Sequence, residues 1–127
     1  ISKDDILNAK KEHPQARVAV HPECTKDVTT LADFVGSTSA IIDYVVNTDA
    51  DEFIIGTVDG VFYKIHELAP DKKLYRARAV QECVNMKKVS LEKIIDVLEN
   101  ETNEVFLDEN IANAALKPLE KMLELAQ

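Results

Sequence analysis

The chain has 127 residues, 46% of them hydrophobic, and a formal net charge of −8 from 15 basic and 23 acidic side chains. That length holds one domain, or one domain and part of another, with enough apolar residues for a core. The acidic balance argues against nucleic acid or an anionic membrane as a partner, since both favour basic surfaces, and no apolar run approaches the roughly 20 residues that cross a bilayer.

Ser2 reads as a helix N-cap, with Asp4 and Asp5 in the first turn and Ile6, Leu7 and Ala9 forming an apolar stripe that runs to His13. Arg17 to Val20 reads as a short buried strand that stops at His21-Pro22, because proline cannot extend a central ladder. Thr25 to Ala32 is predicted as a helix, Phe34-Val35 as a very short strand and Ser37 to Val46 as a helix. Glu52 to Ile55 follows as a strand closed by Gly56-Thr57, then a helix from Val61 to Leu68 and a strand from Lys73 to Arg76. Arg78 to Lys88 reads as irregular. Ser90 caps a further helix with Leu91, Ile94, Ile95 and Leu98 at helical spacing. Glu104 to Leu107 is predicted as a strand, and Ile111 to Ala126 as a helix that Pro118 should kink or split.

Strand and helix in alternation, with short connections, predict an α/β domain: a three-layer αβα sandwich around a mainly parallel sheet. The cap-helix-strand run from Ser2 to Val20 is echoed from Ser90 to Leu107, at an offset of 87 to 88 residues. The echo places the end of one unit near Cys83 and the start of another at Ser90. Cys24 and Cys83 lie 59 residues apart, which is not a disulfide framework and predicts a reducing, cytoplasmic setting. The first residue is Ile, which predicts a fragment, a processed form or the ordered part of a longer chain.

In an open parallel sheet, ligands bind beyond the carboxyl ends of the strands. The polar residues that a core does not require fall there: His21 and Glu23 after the first strand, Ser37 and Thr38 after the second, Thr57 after the third and Cys83 beyond the fourth. All three glycines, Gly36, Gly56 and Gly60, fall at the same ends. Gly36-Ser37-Thr38-Ser39 opens a helix whose free N–H groups favour an anion; the plainer alternative is an N-cap that serves only the helix. His21 can bind a carboxylate or carry a proton, and Glu23 can act as general acid or base. An extended backbone through Pro22 would aim both at one face, and the alternative is two solvated loop residues. Cys24 reads as an inert packing cysteine more readily than as a nucleophile served by His21. Two distant cysteines do not make a zinc site, and one cysteine at Cys83 is fewer than a cluster requires. His66 reads as a surface residue.

Taken together, His21-Pro22-Glu23-Cys24, Ala32-Asp33-Phe34-Val35-Gly36-Ser37-Thr38-Ser39, Phe53-Ile54-Ile55-Gly56-Thr57 with Gly60, Pro70-Asp71-Lys72-Lys73, Cys83-x-x-Met86-Lys87-Lys88 and Ala114-x-x-x-Pro118-Leu119-x-x-Met122-Leu123 resemble the quinolinate synthase family over nearly the whole chain. The resemblance is to the C-terminal part of that family only. It implies the third of three αβα domains related by a pseudo-threefold axis, over residues 1–88. Residues 89–127 would pack back on a first domain that lies upstream. It implies a cytoplasmic transferase of NAD biosynthesis that condenses iminoaspartate with dihydroxyacetone phosphate to give quinolinate, using a [4Fe-4S] cluster held by one cysteine from each domain. By matching position, Cys83 would be the third cluster ligand. His21, Glu23, Ser37 and Thr38 would contact substrate, with Glu23 as the acid-base residue. The 127 residues alone would be inactive, carrying one of three cluster ligands. Two positions depart from the family's pattern: Val84 stands where proline often follows the ligand cysteine, and Val58 where an acidic residue often follows the threonine, with Asp59 next. The competing reading is a stand-alone α/β module that binds a small anion without catalysis; a thiol hydrolase built on Cys24 is a third.

Overall fold

The computed structural model describes residues 1–126 and divides into two compact units, Ile1–Lys88 and the segment from Val89 onward. In the first unit the elements are α1 (Lys3–Glu12), β1 (Arg17–Val20), α2 (Lys26–Thr29), β2 (Phe34–Val35), α3 (Thr38–Asn47), β3 (Glu52–Gly56), α4 (Gly60–Leu68) and β4 (Lys73–Arg76). All strand pairs are parallel, and the order across the sheet is β2-β1-β3-β4.

Successive side chains of a strand face opposite sides of the sheet, and both sides here are apolar. Val18 and Val20 of β1 and Ile54 of β3 pack with Ile6 and Ala9 of α1 and Val28 of α2. Ala19 of β1 and Phe53 and Ile55 of β3 pack on the other side with Ile41 and Val45 of α3 and Val61 and Ile65 of α4. The result is the predicted αβα sandwich, with β1 and β3 covered on both faces. Full burial of each large side chain, such as Phe53 or Ile54, stabilises by about 1.5–3 kcal/mol. The start of α1 is a capping box: the Ser2 hydroxyl accepts from the Asp5 N–H, and the Asp5 carboxylate accepts from the Ser2 N–H at 2.7 Å.

The helix predicted over residues 25–32 is shorter, four residues from Lys26 to Thr29. Thr25 makes no side-chain cap, and the hydroxyls of Thr29 and Thr30 both turn back to the Lys26 carbonyl, offering the backbone a local alternative to further helix.

The second unit holds α5 (Leu91–Asn100), capped by the Ser90 hydroxyl, and α6 (Glu109–Leu125), capped by the Asp108 carboxylate. The strand predicted over residues 104–107 does not form. A strand needs a neighbour for its N–H and C=O groups, and the described residues of this unit contain no other strand. The echo of residues 2–20 therefore extends to cap and helix and stops there. Glu101 and Asn103 adopt left-handed φ angles of 51° and 59°, which turn the chain out of α5. Nor does Pro118 split the last helix, which runs unbroken for 17 residues. Proline removes one hydrogen bond, to the Ala114 carbonyl, and the turns on either side carry the helix through. Neither helix of this unit buries a residue: Leu91, Ile95, Leu98, Leu119, Met122 and Leu123 are all exposed, as are Val105, Phe106 and Leu107.

No helix among the described residues is long and apolar enough to cross a membrane.

Candidate functional site

Register sets the site. Val20 is level with Val35 on one side and with Gly56 on the other, so His21, Gly36 and Thr57 each stand one residue beyond the same row. From β1 the chain moves to β2 at one edge, then crosses to β3 on the other side of β1. The point where strand order reverses lies between β1 and β3, where open α/β sheets hold their ligands. Two backbone bonds fix the row: His21 N–H donates to the Gly56 carbonyl at 3.2 Å, and Gly36 N–H donates to the Val20 carbonyl at 3.1 Å.

After β1, residues 21–24 form a turn closed by Cys24 N–H on the His21 carbonyl at 3.0 Å, rather than the extended run considered from sequence. Pro22 occupies the second position of that turn, where its fixed φ is favoured. The turn still joins the two polar side chains. His21 Nδ1 lies 3.9 Å from the Glu23 carboxylate and 3.3 Å from the Glu23 backbone N–H. The N–H contact makes Nδ1 an acceptor, which leaves the proton of neutral His21 on Nε2. Glu23 is 90% exposed and His21 only 28%, so the carboxylate stands out while the ring lies against the rim.

The thiol of Cys24 points the other way. It lies 3.8 Å from the Gly56 carbonyl and packs against the core on the α1 side. Burial pushes its pKa up, which favours the neutral thiol over a nucleophilic thiolate.

At the end of β2, a Cβ on Gly36 would stand 2.6 Å from the Phe34 ring, so any larger residue there requires that ring to move. Ser37 then caps α3, its hydroxyl accepting from Ala40 N–H at 3.3 Å and lying 3.2 Å from the Ser39 hydroxyl. Ser37 thus serves the helix itself, while Ser37 and Thr38 are both exposed at the rim.

Beyond β4 the segment carrying Cys83 is irregular, as predicted, with one 3-10 turn at Met86–Lys88. Cys83 is a free, half-buried thiol whose carbonyl accepts from Lys87 N–H at 3.1 Å, and Glu82 pairs with Lys87 at 2.9 Å. Sequence reasoning missed the residue that ties this segment to the sheet. Gln81 is 5% exposed, and its amide NH2 donates to the carbonyls of Ile55 at 2.9 Å and Thr57 at 2.7 Å. A polar residue in an irregular segment carries no periodicity, so nothing in one sequence distinguishes it from a solvated glutamine. Asp59 is held nearby by Arg76 at 3.0 Å, which takes up the acid next to the departing position Val58. His66 is exposed, as expected, and His13 stacks on Tyr75 with ring centroids 3.4 Å apart.

The first unit is thus an α/β domain, a parallel αβα layer with an imidazole, a carboxylate, hydroxyls and a thiol following its strand ends. The chain belongs to the quinolinate synthetase A protein family, whose model matches residues 1–124. It is 47% identical over 126 residues to the quinolinate synthase of Caldicellulosiruptor saccharolyticus, covering 99% of this chain and 42% of that protein. It is 42% identical over 131 residues to the quinolinate synthase of a Sulfurihydrogenibium species, again covering 99% of this chain and 42% of the relative. The Fusobacterium nucleatum quinolinate synthase is 49% identical over 123 residues, 97% of this chain and 41% of that protein. The chain thus spans about two fifths of the length of these curated relatives.

Whether the residues suit an iron-sulfur cluster follows from their number and chemistry. Among the described residues there is no group of three or more His, Cys, Asp or Glu side chains placed to hold a metal. Cys83, a free thiol on an irregular segment beyond β4, suits the role of one ligand of a cluster completed by others.

Proposed function

We propose that this chain is the C-terminal part of a quinolinate synthase, a cytoplasmic transferase that condenses iminoaspartate with dihydroxyacetone phosphate to form quinolinate for NAD biosynthesis. The observation that carries this reading is the common row of His21, Gly36 and Thr57 beyond the carboxyl ends of β1, β2 and β3, in a chain whose family match runs over residues 1–124. In this reading residues 1–88 are the third of three similar domains, and residues 89–127 pack back on the first. The exposed apolar side chains of α5 and α6 support the second assignment, because faces of that kind are ordinarily covered.

Substrate would be held at the rim. Ser37 and Thr38, at the start of α3, offer hydroxyls and backbone N–H groups to a carboxylate or phosphate, where the helix dipole favours negative charge. His21 presents its Nε2–H to a second acidic oxygen. Glu23, exposed and next to the ring, takes and returns protons during the dehydrations and tautomerisation that follow carbon-carbon bond formation. Cys83 would be one of three thiolates holding a [4Fe-4S] cluster. When bound, that group supplies a Lewis-acidic iron without a protein ligand.

The test is the full-length protein prepared without oxygen. A brown cluster absorbance that disappears in Cys83→Ala, and quinolinate formation that disappears in Glu23→Gln with the absorbance retained, are expected. The 127 residues alone should form no quinolinate. A colourless full-length protein that makes quinolinate would sink the cluster assignment.

A further inference from the structure

We infer that Gln81 is the positioning residue for Cys83, locking the segment that carries this thiol to the carboxyl end of β3. The inference rests on the reading of Cys83 as a cluster ligand and adds what holds that ligand in place.

Four hydrogen bonds converge on this one residue. Its Nε2 donates to the Ile55 carbonyl at 2.9 Å and to the Thr57 carbonyl at 2.7 Å. Its Oε1 accepts from Arg78 N–H at 3.1 Å, and its own carbonyl accepts from Asp59 N–H at 3.1 Å. The side chain thereby spans three pieces of backbone: the end of β3, the loop that opens α4 and the exit from β4. It does so from a position two residues before Cys83, in a stretch with little else to order it. Val80, Val84 and Met86 on that stretch are exposed, so apolar burial does not fix it. The neighbouring ion pairs, Glu82 with Lys87 and Arg76 with Asp59, lie at least partly in solvent, where such pairs contribute little. Buried amide bonds to backbone carbonyls are costly to lose: without Gln81 the Ile55 carbonyl keeps only the longer contact from Ala77 N–H at 3.4 Å, and the carbonyl of buried Thr57 loses its Gln81 donor.

The arrangement also joins two loops. Thr57, one residue beyond β3, is bonded to the Gln81 amide, and Cys83 follows Gln81 by two residues along the chain.

The experiment uses the full-length protein made without oxygen, comparing wild type, Gln81→Leu and Cys83→Ser. Leucine keeps nearly the same bulk and removes all side-chain hydrogen bonds. In Gln81→Leu, chelator-driven loss of the cluster absorbance should quicken by about tenfold or more, with an altered paramagnetic resonance spectrum of the reduced cluster. In the metal-free protein, amides 82–88 should exchange hydrogen about tenfold faster, while those of Val18 and Val20 are unchanged. An unchanged release rate and spectrum would overturn the inference, as would faster exchange spread equally over β1, which marks general destabilisation. Should Gln81→Leu not fold, wild type decides: the Arg78 and Asp59 amides must be protected in the metal-free protein, and exchange at the rate of open loops overturns the clamp. A Cys83→Ser protein that keeps its cluster removes the ligand reading and this inference with it. Loss of the cluster in Cys83→Ser but not in Gln81→Leu removes this inference alone.

Discussion

A Cβ on Gly56 would stand 2.8 Å from Cγ1 of Val20, the residue level with it on the neighbouring strand. Val20 is fully buried and hydrogen-bonded through its carbonyl to Gly36, so it has little room to retreat. Gly56→Ala should lower stability by about 1–3 kcal/mol, read from the urea midpoint, and Val20→Ala in the same chain should recover part of that loss. Equal stability of Gly56→Ala and wild type would mean that the strands separate more readily than their register implies.

Ser37 has two possible employers, the helix and a ligand, and one substitution separates them. Aspartate caps a helix as well as serine does, but places a negative charge where a carboxylate or phosphate would bind. Ser37→Asp should keep thermal stability within about 0.5 kcal/mol, while KM in the full-length enzyme rises tenfold or more. Ser37→Ala should instead cost about 1 kcal/mol through the lost Ala40 contact. A Ser37→Asp enzyme with unaltered KM would leave Ser37 as a cap alone.

Cys24 should behave as a packing residue. Burial raises its pKa, so at pH 8 it should alkylate more slowly in the folded protein than in urea. The sign for stability follows: with the folded value the higher one, the thiol's contribution is full below about pH 8.5 and fades as pH rises through the folded value. Cys24→Ala in the full-length enzyme should retain quinolinate formation within a few-fold. Its complete loss would restore the nucleophile that the sequence left open.

The capping box of α1 makes a pH-dependent contribution. The backbone N–H and hydroxyl of Ser2 hold the Asp5 carboxyl below its ordinary value. A carboxylate with a depressed folded pKa stabilises fully above the unfolded value, about 3.9, and loses that contribution as pH falls through the folded one. Asp5→Ala should therefore cost roughly 0.5–1 kcal/mol at pH 7, and the gap to wild type should close as pH falls below about 4. The site is exposed, so salt will reduce the difference. A gap that persists at pH 2 would assign the effect to helix propensity instead.

Much of the first unit was legible because its signals are local. Val18-Ala19-Val20 and Phe53-Ile54-Ile55 are apolar runs too short for a buried helix, and each ends at a residue that breaks or bends the chain. Even the two-residue strand Phe34-Val35 was marked by the glycine after it. What escaped was whatever depends on a distant partner. Val105-Phe106-Leu107 has the composition of a strand and no neighbour to pair with among the described residues of its unit. Thr29 and Thr30 shortened α2 by bonding backward to Lys26, a competition that a helical pattern does not reveal. Of the candidate site, the residue types and their strand-end positions could be read, because strand ends follow from strand positions. The turn at Pro22 and the anchoring of the Cys83 segment by Gln81 could not, since each is defined by which backbone atoms meet across the fold.

The 3.3 Å contact from Glu23 N–H to His21 Nδ1 fixes which ring nitrogen is left over. With that nitrogen occupied, a neutral ring has only its Nε2–H left to offer, and the acceptor beside it is the exposed Glu23 carboxylate, 3.9 Å from Nδ1. Donor and acceptor thus stand side by side, an arrangement set by a backbone amide two residues along the chain. The tautomer is therefore written into the Pro22 turn, and loosening that turn would free either ring nitrogen to carry the proton without changing a single side chain.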